Sequence, residues 1–129
     1  MKYKANDFKN EIKRTHQLSK DKNEEISRKF DNKDENSDIC KTTEIKKLNE
    51  KMKKELNKLD KKVINAIVAV MYVGALEKDK KLKDPEAYFS EKYEQVDSLD
   101  KDESLKKLIE KESLDECLAH GIKALKIDE

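Results

Sequence analysis

Along most of this chain the apolar residues form narrow stripes, and in one place they close into a block. Val63 to Leu76 reads V-I-N-A-I-V-A-V-M-Y-V-G-A-L, with Asn65 its one strongly polar member. A helix that is apolar on every side is buried on every side. The block is shorter than the roughly 20 residues a membrane span needs. It therefore predicts a central core helix from about Lys61 to Leu76, covered by amphipathic neighbours. Asn65 inside it must find a partner, because an unpaired buried amide costs about 1–3 kcal/mol. A structural hydrogen bond is its expected role, and Tyr72 is expected to reach a polar group through its hydroxyl.

The neighbours are legible as stripes. Ile45, Leu48, Met52, Leu56 and Leu59 step by 3, 4, 4 and 3, predicting a helix over about Thr43–Leu59. A break there, with Asp60 as N-cap of the next helix, gives an antiparallel hairpin. Asp84-Pro85-Glu86 places a cap, a first-turn proline and a dipole-complementing acid in order. It opens a helix to about Val96 with Tyr88, Phe89, Tyr93 and Val96 on its core side. Leu105, Leu108 and Ile109 mark a helix over about Asp102–Glu112. Ser113-x-x-Glu116 is a capping box before a last stripe of Leu114, Cys117, Leu118, Ile122 and Leu125. Gly121 interrupts that stripe at a cost of up to about 1 kcal/mol. It predicts a close backbone approach, with Ala66, Ala69, Gly74 or Ala75 opposite.

The N-terminal third is thinner. Asn6 or Asp7 can cap a first helix carrying Phe8, Ile12 and Thr15, and Ile26 and Phe30 mark a second, shorter one. Asp31–Lys41 is rich in Asn, Asp and Ser and predicts a protease-sensitive loop. The expected organisation is residues 1–41 as an N-terminal helical arm and polar loop, and 42–129 as the helical core domain. A fragment starting near Thr42 is expected to stay folded. No useful length alternates at period two, so no sheet is expected. The fold class is all-α, a small helical bundle around a central apolar helix.

The order of these elements resembles a family of small bacterial all-helical domains of unknown function, over about residues 45–126. The resemblance rests on the Leu-rich stripe, then A-I-V-A-V-M-Y-V-G, then an acidic-aromatic helix, then L-I-E-K-E-S-L-D-E-C-L-A-H-G-I-K-A-L. It departs where the family pattern has a basic residue after the first glycine, since Ala75 follows Gly74. The resemblance implies a fold and carries no activity.

Composition narrows the function classes. Of 129 residues 46% are charged, yet the formal net charge is +1, which does not mark a general nucleic-acid binder. The apolar fraction, 35%, allows only a small core. Cys40 and Cys117 are far apart, form no CxxC pair and are expected to be reduced thiols in the cytoplasm. With only Gly74 and Gly121, no glycine-rich phosphate loop can be assembled. No metal-ligand spacing is present, and neither a cofactor nor enzymatic activity is expected. Glu116 precedes His120 by one helical turn, and Cys117 precedes it by three residues. An exposed ion pair and a buried inert thiol account for them.

Two readings remain. The first is a small non-catalytic interaction protein that binds and modulates a protein partner, as an antitoxin, an immunity protein or a phage anti-defence protein does. Its candidate contacts are Tyr3, Tyr88, Tyr93, Lys47, Lys54 and Lys58. A homodimer is compatible with this reading and a membrane partner is not. The alternative is a nucleic-acid-associated regulator using the lysines of the 43–62 helix, where eight lysines run from Lys46 to Lys62. Salt-dependent retention on DNA separates the two.

Overall fold

The computed structural model describes residues 5–30, 37–111 and 113–127. It contains a 3-10 turn, Ala5–Phe8, and six α-helices: α1 Lys9–Phe30, α2 Ser37–Leu56, α3 Lys61–Asp79, α4 Pro85–Asp97, α5 Lys101–Glu110 and α6 Leu114–Ala124. There is no strand among the described residues. Among the described residues no helix is long and apolar enough to cross a membrane.

The apolar block is the centre, as its pattern predicts. Every residue from Ile64 to Met71 is buried, with Val73 and Gly74. Helices α6, α4, α5 and α1 pack on α3. The main neighbours of α2 are α1 and α5, so the expected hairpin partner is not the chief cover of the block. The stripe on α2 is narrow, with Met52 and Leu56 buried and Ile45 and Leu48 half-buried. It suits an outer position.

Asn65 is fully buried and satisfied. Its Nδ2 donates to Asp97 Oδ1 at 3.1 Å, and Ser104 Oγ donates to its Oδ1 at 3.1 Å. One amide thereby ties α3 to the end of α4 and the start of α5. Asn65→Leu leaves Ser104 without this acceptor, at a cost of about 1–3 kcal/mol. Urea unfolding measures the loss, and an unchanged midpoint would remove the network from the account of stability.

Lysines close two helix ends reciprocally. Lys61 Nζ donates to Asp97 O at 3.0 Å, and Lys101 Nζ donates to Asn57 O at 2.8 Å. Cations there meet free carbonyls and the negative end of the dipole. Asp84 and Asp100 cap α4 and α5 through Ala87 N and Glu103 N, at 3.1 and 2.8 Å.

Five expectations need correction. Asp60 makes no side-chain cap, and nor does Ser113. Ser113 has φ −105° and ψ 37°, outside the extended conformation a capping box uses, and its hydroxyl lies 3.9 Å from Cys117 Sγ instead. The two short N-terminal helices are one, α1. The N-terminal segment is not set apart from the core, since Ala5, Phe8 and Ile12 belong to the same buried cluster as α3. Thr15 is buried because its hydroxyl returns to Glu11 O at 2.8 Å, which satisfies it inside the helix. Ser37–Lys41, expected in a loop, begin α2, while 31–36 lie outside the described residues.

Candidate functional site

The most distinctive surface is built where α6 stops. Its inner face buries Leu114, Cys117, Leu118, Gly121 and Ile122, and its outer face exposes Ala119, His120 and Lys123. The helix closes with two backbone bonds. Lys126 N–H donates to Lys123 O at 3.3 Å, and Ile127 N–H donates to Ile122 O at 3.0 Å. This is the paired closure that normally places glycine at the left-handed position. The residue here is Lys126, at φ 55°. Ile127 beyond it is fully buried. Burying that side chain is worth about 1.5–3 kcal/mol, enough to offset the roughly 1–2 kcal/mol that a left-handed lysine costs.

Two open concavities meet at this turn. The first, about 610 Å³, lies between α1 and α6 and is lined by Lys13, His16 and Gln17 with Ala119, Ile122, Lys123 and Lys126. The second, about 530 Å³, lies beside the α3–α4 connection. There Glu77, Lys81, Leu82, Lys83 and Pro85 face His120, Lys123, Ala124 and Lys126. Lys123 and Lys126 line both. Among the described residues, five lysines, of which Lys13 has a partner of its own, and both imidazoles line the two clefts together with one carboxylate, that of Glu77. That carboxylate accepts from Leu82 N–H at 2.9 Å and is engaged in holding the connection.

Glu116 on α6 is likewise occupied. Lys78 Nζ and Glu116 Oε2 pair at 2.6 Å across α3 and α6. The hydrogen bond holds the Glu116 carboxyl below its usual range and the Lys78 ammonium above its own. His120 adds only a small part to the shift at Glu116. The carboxylate one turn before His120 is therefore bonded to Lys78. Cys117 is buried. Among the described residues, no group of three His, Cys, Asp or Glu side chains is placed to hold a metal ion.

The residues singled out from sequence do not converge on this face. Tyr93 is buried at 6% exposure beside Phe89, with ring centroids 6.2 Å apart, and is a core residue, not a surface contact. Its period along α4 put it there, and the bulk of two rings fills the space over α3. Tyr88 is half-buried, and Lys92 Nζ sits 5.3 Å from its ring centre and 5.4 Å from that of Tyr72. Tyr3 lies outside the described residues. Lys47, Lys54 and Lys58 are exposed on and just beyond α2. The grooves along α2 carry mixed charge. Glu55 pairs with both Arg14 and Lys58, at 3.4 and 3.5 Å. Lys22 donates to Asn49 Oδ1 at 2.8 Å, and its half-buried setting pushes its ammonium pKa down, with Asp115 opposing the shift.

No family model, curated protein or solved structure matches the chain. The likeness of residues 45–126 to small bacterial helical domains therefore rests on the sequence pattern alone.

Proposed function

We propose that the chain is a small non-catalytic interaction module that binds an acidic protein partner through the face around Lys123 and Lys126. The observation that carries this reading is the junction of two open concavities at Lys123 and Lys126, whose described lining holds more basic than acidic groups. Their size suits side chains and short segments of a partner, and their floors mix apolar and basic groups. Such complementarity speeds association and fixes orientation. Neutralising a partner in this way is the work of an antitoxin, an immunity protein or a phage anti-defence protein, the classes to which small size and dense charge point.

The test is a comparison of captured partners in the cell that makes the protein. Lys123→Glu should weaken retention of the partner by about tenfold or more, while Lys54→Glu on α2 should leave it unchanged. Thermal unfolding of both variants checks that the fold survives. The opposite pattern would move the site to α2, and salt-sensitive retention of DNA by the wild type, lost with Lys54→Glu, would favour the nucleic-acid reading.

A further inference from the structure

We infer that Lys126 is the fixed point of this face, and that the face receives an acidic, partly aliphatic stretch of polypeptide lying across Lys126 from one cleft to the other. The inference rests on the reading above and names what occupies the face. Lys126 borders both clefts, and its backbone stands at φ 55°. Glycine takes that conformation without strain and lysine does not. A turn that had only to end α6 and bury Ile127 would be better served by glycine.

What lysine adds is a cation whose point of attachment is held on both sides. The Lys126 and Ile127 amides are bonded back into α6 at 3.3 and 3.0 Å, and the Ile127 side chain is fully buried. A charge carried on a fixed backbone loses less freedom on binding than one on a frayed end. Strain retained at a surface position is an observation from which function is argued.

The floor of the face selects the polymer. Ile122 and Ala119 lie under the first cleft, and Leu82, Pro85 and Ala124 under the second. Among the described residues, neither cleft is lined by an arginine, the main reader of base edges, or by a phenylalanine, tyrosine or tryptophan ring; the rings present are the imidazoles of His16 and His120. Interleaved carboxylate and aliphatic side chains answer both the lysines and the floor. A phosphodiester backbone answers the lysines and leaves the aliphatic floor unmatched.

Fluorescence anisotropy tests this with two labelled probes, a peptide in which glutamates alternate with alanine and leucine, and a single-stranded DNA. The wild type should bind the peptide more tightly than the DNA. Lys126→Gly should melt about 2–4 °C higher and bind the peptide about tenfold more weakly. Lys126→Arg should bind within about twofold of wild type, because it keeps the charge on the same turn. If Lys126→Gly binds like the wild type while Lys123→Glu does not, the role of Lys126 is overturned and the basic face stands. A Lys126→Gly protein that is no more stable overturns the strain argument. Tighter binding of the DNA, or no binding of the peptide by the wild type, overturns the acidic polypeptide as the occupant.

Discussion

Gly74→Val is expected to unfold the protein, and Gly74→Ala to cost about 3–5 kcal/mol. The reason is a contact between backbones. A Cβ on Gly74 would overlap the carbonyl of Cys117 and stand 2.9 Å from Gly121 N. A Cβ on Gly121 would stand 2.5 Å from Val70 O and 2.7 Å from Val70 Cγ1. Backbone atoms inside two helices cannot swing aside as a side chain can. The helices must part instead, and contacts along the most heavily buried seam of the protein lengthen together. Alanine would otherwise favour the helix by up to about 1 kcal/mol over glycine, so two mid-helix glycines facing each other mark where close approach outweighs propensity. Urea unfolding followed by far-UV circular dichroism measures the effect. A Gly74→Ala midpoint at or above wild type would mean that α3 and α6 do not pack at this distance.

That contact was half legible in the sequence. Gly121 inside an apolar stripe announces a neighbour, and Gly74 was among the positions able to provide it. The block from Val63 to Leu76, the Asp84-Pro85 start and the last stripe were equally readable, because each signal lies within a few residues. The N-terminal contribution was not. Phe8 and Ile12 are few, and Thr15 and Ser19 count as polar in any pattern although both are 1% exposed. A helical hydroxyl that bonds a carbonyl of its own helix can enter a core, and hydropathy does not register it.

The basic face was hidden for a different reason. Lys13 and His16 lie near one end of the sequence and Lys123 and Lys126 near the other, and only the packing of α1 on α6 brings them together. Lysine density pointed instead to α2. There Glu55 sits among the basic groups and pairs with Lys58 and with Arg14 of α1. A cluster in sequence became a dispersed set in space, and two scattered pairs became a surface. Lys126 itself gave one usable signal, a lysine where the end of α6 calls for glycine. Its meaning depends on Ile127 being buried, which the sequence does not state.

A chain beginning at Thr42 is expected to lack the cooperative fold, the reverse of what counting apolar stripes implies. Removing the first 41 residues takes away Ala5, Phe8 and Ile12, which are 1%, 5% and 0% exposed in the core. Phe8 and Ile12 alone contribute about 1.5–3 kcal/mol each by burial, against a total stability of about 5–15 kcal/mol for a domain of this kind. The loss continues beyond them. Leu18 packs on the same cluster, and α1 is tied outward by Lys22 to Asn49 and by Asn23 to Asp115, both at 2.8 Å. With α1 gone, apolar surface on α3 and α6 meets water, and one wall of the first cleft disappears. Circular dichroism should show a broad melt in place of a sharp one, and limited proteolysis should digest the fragment quickly. Ile12→Asp in the full chain tests the same claim without a truncation, since an unpaired charge would replace a fully buried side chain. A fragment from Thr42 that melts sharply, near the temperature of the whole protein, would return α1 to the role of an accessory arm.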